Sequence, residues 1–155
     1  MKLVFLDFDG VLNSTPFLVG PPRKPPLGIS AIDGRAVRRL NTIVDLTGAK
    51  FVISSTWRIY EPVGRLIEWL EALGFEGEVI DRTPDFPGQE RGVEILEWLK
   101  AYDKSPDGED IEDFVILDDN ADMYPLLDHL VQTDSEVGLT DADVRVAVEM
   151  LGVGA

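Results

Sequence analysis

The chain has no cysteine and a single histidine. That excludes a disulfide framework and a thiolate metal site, and it leaves oxygen as the main donor for any ion. Positive charge is scarce. Lys and Arg number 14 against 29 Asp and Glu, a formal net charge of −15. A field of that sign repels phosphate backbones, so broad nonspecific nucleic-acid binding is not expected, and nucleic acid enters only as a substrate. The plainer use of the acidity is solubility. No apolar run approaches the roughly 20 residues that span a bilayer, and no repeat or low-complexity tract is visible. Met1 to Asp7 is too short an apolar stretch for a secretory leader, and acids follow it at once. The expectation is a cytoplasmic protein with no membrane partner. The oligomeric state stays open.

The chain's 155 residues, 45% of them hydrophobic, fit one domain with a real core, residues 1–155. Continuous apolar runs read as strands buried on both faces: Lys2 to Phe8, Lys50 to Ser54 and Asp113 to Leu117, with weaker candidates at Glu78 to Ile80 and His129 to Gln132. Helix signals lie between them. Ser30 with Asp33 resembles a capping box for a helix running to about Leu46. Pro62 suits a first turn, before the apolar stripe Val63, Leu66, Ile67, Leu70 and Leu73 and a stop at Gly74. Val93, Leu96 and Leu99 mark a third helix, and Thr140 with Asp143 caps a fourth that carries Val144, Val148 and Leu151. This alternation predicts a three-layer α/β fold, a Rossmann-like parallel sheet with helices on both faces. The ligand site of such a sheet lies at the carboxyl ends of the strands.

Two segments interrupt the alternation. Residues 15–28 are rich in proline around Pro21 to Pro26 and follow the first strand, so the loop is expected to hang over the strand ends. Its Arg23 and Lys24 could steer an anionic substrate, or simply be solvated. Ser105 to Asp110 reads as a surface connection.

The chemistry gathers at strand ends. The first strand runs into Asp7-Phe8-Asp9-Gly10-Val11-Leu12, with two acids at a spacing that points side chains one way on a strand. Burying both costs several kcal/mol without compensation, which is a functional rather than a stabilising choice. The alternative is one acid capping a turn and the other facing water. The third strong strand ends in Asp118-Asp119, either a turn or a second pair converging on the first. Four carboxylates together demand a cation, and an oxygen donor set favours magnesium over zinc. Ser54 and Ser55 end the second strand, where hydroxyls hold phosphate oxygens or cap a turn. Arg91 opens a helix against its dipole, a mildly unfavourable place that hints at function.

Asp7-Phe8-Asp9-Gly10-Val11-Leu12 resembles the first motif of the haloacid dehalogenase (HAD) superfamily. Ser54 matches its second motif, Arg91 its third, with Arg82 as a competitor, and Asp118-Asp119 its fourth. The motifs stand in the family's order. Ser54-Ser55-Thr56-Trp57-Arg58, Ile116-Leu117-Asp118-Asp119 and Gly138-Leu139-Thr140 resemble a small branch that includes domains attached to RNA-repair proteins. The resemblance implies a phosphatase working through an aspartyl phosphate. Asp7 is then the nucleophile and Asp9 the acid and base. Mg2+ is held by Asp7, the Asp9 carbonyl and Asp119, with Asp118 in support. Ser54, Ser55 and Arg91 take the phosphoryl oxygens. Asp9 also separates phosphatases from dehalogenases, which usually lack it. The gaps between motifs leave no room for a full cap domain, a form that in the family often takes large substrates. Three functions compete: a phosphomonoester hydrolase of unspecified substrate, a polynucleotide end phosphatase acting in repair, and a non-catalytic module that keeps the fold. Trp69, Trp98 and His129 read as structural residues.

Overall fold

The computed structural model describes residues 1–21 and 27–152. Its frame is a five-stranded sheet, all parallel, in the order β3-β2-β1-β4-β5. The strands are β1 (Lys2–Leu6), β2 (Lys50–Ile53), β3 (Val79–Arg82), β4 (Asp113–Asp118) and β5 (Leu130–Gln132). The helices are α1 (Thr15–Leu18), α2 (Leu27–Ser30), α3 (Gly34–Thr47), α4 (Trp57–Tyr60), α5 (Val63–Ala72), α6 (Arg91–Asp103) and α7 (Asp141–Met150). This is the Rossmann-like α/β architecture that the alternating runs predict.

Strand alternation sorts the core into two layers. Val4 and Leu6, with Phe51, Ile53, Val115 and Leu117, face α3, α5 and α7. Leu3 and Phe5, with Val52 and Ile116, face the other side, where Ile95 and Trp98 of α6 cover them. Trp98 meets Phe5 edge to face at 5.5 Å and gives its indole N–H to Asp81. The apolar face expected for this helix, Val93, Leu96 and Leu99, is only half-buried. The deeper stripe is Ile95 and Trp98, because α6 turns its tryptophan onto β1.

Local signals explain most boundaries. α7 carries both bonds of the capping box between Thr140 and Asp143. Gly74, at φ 95°, stops α5. The helix expected from Ser30 starts at Gly34, where Asp33 caps it by accepting from the Arg35 amide. Ser30 belongs instead to the short α2. The stretch expected as an open loop from 15 to 28 thus contains α1 and the start of α2. Its centre, Pro22 to Pro26 with Arg23 and Lys24, lies outside the described residues. Between β1 and β2 the described residues form only two four-residue helices and the core helix α3, so no cap-sized insertion is present among them. His129 stacks on Phe114 at 3.8 Å and meets its carbonyl, at the end of the sheet away from the acids, which is a structural role. Among the described residues, no helix is long and apolar enough to cross a membrane.

Candidate phosphoryl-transfer site

The sheet's register builds the site. Leu6 lies level with Ile53 on one side and Leu117 on the other. The next residues, Asp7, Ser54 and Asp118, therefore share one level, tied by Asp7 N–H to the Leu117 carbonyl (3.0 Å) and Ser54 N–H to the Leu6 carbonyl (2.9 Å). Alternation from Phe5, Val52 and Ile116 aims all three side chains at the α6 side. Arg91 is the first residue of that helix. The chain runs from β1 to β2 on one side and returns to β4 on the other, so a crevice opens at the ends of β1 and β4.

Arg91 reaches into the crevice with its side chain 15% exposed. One guanidinium nitrogen lies 3.1 Å from Asp7 Oδ1 and 2.9 Å from Asp118 Oδ2. Those carboxylates offset the unfavourable helix dipole, and Asp122 adds to them by accepting from the Arg91 amide at 3.3 Å. Arg82 points elsewhere and donates to the Arg58 carbonyl.

Asp7, Asp118 and Asp119 each present an oxygen, all within 4.8 Å of one another. Asp7 and Asp118 are 4% and 0% exposed. Burial pushes the Asp7 carboxyl up to about 6, against the pull of Arg91. Burial and then the Asp7 charge carry Asp118 to about 8. One arginine does not neutralise three clustered acids. The donor set is all oxygen and hard, so the residues suit a divalent cation of the magnesium or calcium type. Gly10 makes room for this arrangement. Its φ is 77°, and a Cβ there would sit 2.3 Å from Asp119 Oδ2.

Asp9 departs from the expected convergence of four carboxylates. β1 ends at Leu6, the chain turns at Gly10, and the exposed Asp9 side chain accepts from Asn13 Nδ2 at 3.1 Å. Its carboxylate is outside the trio. Ser54 Oγ is buried and without a hydrogen-bond partner, beside the acids at the same sheet level. Ser55, also buried, accepts from the Trp57 amide through Oγ, which braces the turn and leaves its O–H as a donor.

Two supporting groups had no role assigned to them from the sequence. Arg58 and Glu94 form an ion pair at 3.0 Å with side chains 1% and 7% exposed. Arg58 also donates to the carbonyls of Ser55, Thr83 and Pro84, and Glu94 accepts from the Phe86 amide. The pair ties the turn that carries Ser54 to the helix that carries Arg91. Arg58 stands in the Ser54 to Arg58 pattern, but an arginine after a polar turn carries no local sign of burial.

Searches of curated proteins and of solved structures returned no match. A family model described as the HAD domain in Swiss Army Knife RNA repair proteins matches residues 3–144. That span takes in the five strands save Lys2 of β1, together with the acid trio, Ser54 and Arg91. The chain belongs to this family of HAD domains.

Proposed function

We propose that the chain is a magnesium-dependent phosphomonoester hydrolase that works through an aspartyl phosphate, with residues 1–155 as one catalytic unit. The observation that carries this reading is the trio of Asp7, Asp118 and Asp119, the first two buried and bridged by Arg91, with an unpartnered Ser54 hydroxyl at the same level. Burying such charge without a ligand to meet it is costly, and a module that only kept the fold would have no use for it.

In this reading Asp7 attacks phosphorus, the bond to the leaving oxygen breaks, and Asp9 gives that oxygen its proton. Water then attacks the aspartyl phosphate, passes a proton back to Asp9, and frees Asp7 and inorganic phosphate. Ser54 donates to a phosphoryl oxygen, and Arg91 meets the charge that builds on it. Magnesium, held by Asp7, Asp119 and the Asp9 carbonyl with Asp118 in support, would neutralise the phosphoryl oxygens and the clustered acids.

A narrower reading is hydrolysis of phosphorylated polynucleotide ends. The family's description as a domain of RNA repair proteins favours it, and so does the lack of a cap-sized insertion among the described residues. The charge of −15 opposes extended contacts with a polyanion. The test is phosphate release from an aryl phosphate and from 3′- and 5′-phosphorylated oligonucleotides, with magnesium and with chelator. The expected result is release that needs the metal and vanishes in Asp7→Asn, which keeps the shape and removes the nucleophile. Full activity in chelator would refute the metal, and full activity in Asp7→Asn would refute the nucleophile.

A further inference from the structure

We infer that Asn13 is a positioning residue for Asp9, holding its carboxylate for proton transfer and out of the acid trio; this rests on the phosphatase reading above. Asn13 is 3% exposed, and its amide is fully engaged on three sides. Oδ1 accepts from the Gly10 amide at 2.9 Å. Nδ2 donates to Asp9 Oδ1 and to the Ala31 carbonyl, both at 3.1 Å. A backbone N–H can only donate, so Oδ1 must face Gly10, and the Asn13 donors are thereby turned toward Asp9 and Ala31. Each partner alone fixes the same orientation.

The segment around Asn13 is itself braced. The Leu139 amide donates to the Val11 carbonyl at 2.9 Å, and Thr133 Oγ donates to the Gly10 carbonyl at 2.7 Å. Gly138, at φ 77°, brings its Cα so close that a Cβ would stand 3.0 Å from the Asn13 carbonyl oxygen. Asp9 itself is exposed, so without this donor its side chain would sample several rotamers. A neutral donor holds the carboxylate in one place. Asparagine fits both demands of the position, an acceptor for Gly10 and a donor for Asp9. Aspartate meets only the first.

That difference sets the experiment. Asn13→Asp keeps the acceptor for Gly10 and replaces the donor with a second acceptor facing Asp9. A misplaced proton donor matters most when the leaving group needs the proton. With saturating magnesium, kcat/KM for an alkyl phosphate, which reports expulsion of the leaving group and not the later hydrolysis of the aspartyl phosphate, should fall about 10²-fold, in line with the cost of misplacing a catalytic group. For a p-nitrophenyl phosphate, whose phenolate leaves unprotonated, the fall should be several times smaller. Equal losses on the two substrates would overturn the proposal, since added charge or a disturbed loop acts on both alike. A second readout needs no turnover: the Asn13 side-chain amide resonances should move in Asp9→Asn. Resonances that stay put would overturn the contact even in an active enzyme. Shifted resonances alongside a wild-type protein that hydrolyses neither substrate would support the contact and refute the phosphatase reading instead.

Discussion

Gly10 and Asp119 show how single residues divide the work at the strand ends. Asp119 lies where any side chain on residue 10 would have to be, and Gly10 sits at a positive φ that side chains rarely adopt. Gly10→Ala should therefore displace the Asp119 carboxylate and add backbone strain of about 1 kcal/mol. The expected outcome is a weaker magnesium midpoint in the activity titration, with a smaller drop in thermal stability. An unchanged metal midpoint would remove Asp119 from the ligand set. The acids at 7, 118 and 119 were legible because each follows an apolar run, where a carboxylate is out of place. The Asp9 carboxylate was expected beside Asp7, but Asp7 is the last residue of this strand end to bond the β4 ladder, and the chain then turns at Gly10. Asn13 carries no pattern of its own, since an asparagine after a turn is ordinary until its partners are seen.

Among the elements, α6 does two jobs. Its first residue enters the site, and its fourth, Glu94, is locked to Arg58 beneath the Ser54 turn. Removing one partner of a buried pair leaves the other charged and unmatched, at a cost of about 3–5 kcal/mol. Glu94→Ala should lower the unfolding free energy by that order in urea, and it should release the β2 and β3 turns together. Loss of less than about 1 kcal/mol would mean that the carbonyls of Ser55, Thr83 and Pro84 satisfy Arg58 unaided. The strands were readable because hydrophobic runs of this length and continuity have few alternatives. α7 and α5 were readable from their caps. The helix starting at Gly34 was displaced because Ser30 and Asp33 compete for the same role, and only the three-dimensional path to α2 decides between them. Which face α6 buries depends on where β1 lies, and helical periodicity alone does not contain that.

For the whole molecule, the acids matter twice, as a surface field and as a buried strain. The −15 charge repels itself, and Asp7 and Asp118 add a cost inside the sheet. Both have folded pKa values above the ordinary 3.8, to about 6 and about 8. As pH rises through 3.8 the unfolded chain gives up these protons first, while the folded chain still holds them. The folded state binds more protons over that window, so the metal-free protein should lose stability as pH climbs from 3.8 toward about 8, and level off above it. Magnesium binds the ionised trio and not the protonated one, so its stabilisation should be larger at about pH 8 than at about pH 5. Asp118→Asn removes the group with the larger shift and keeps an oxygen for the Arg91 hydrogen bond. Melting curves in chelator should then fall less steeply over the same pH range, and added magnesium should raise the midpoint less at the alkaline end. A variant that melts with the wild-type pH slope would mean that Asp118 is ionised in the folded protein throughout. The strain would then sit with Asp7, whose carboxyl pKa is raised by burial.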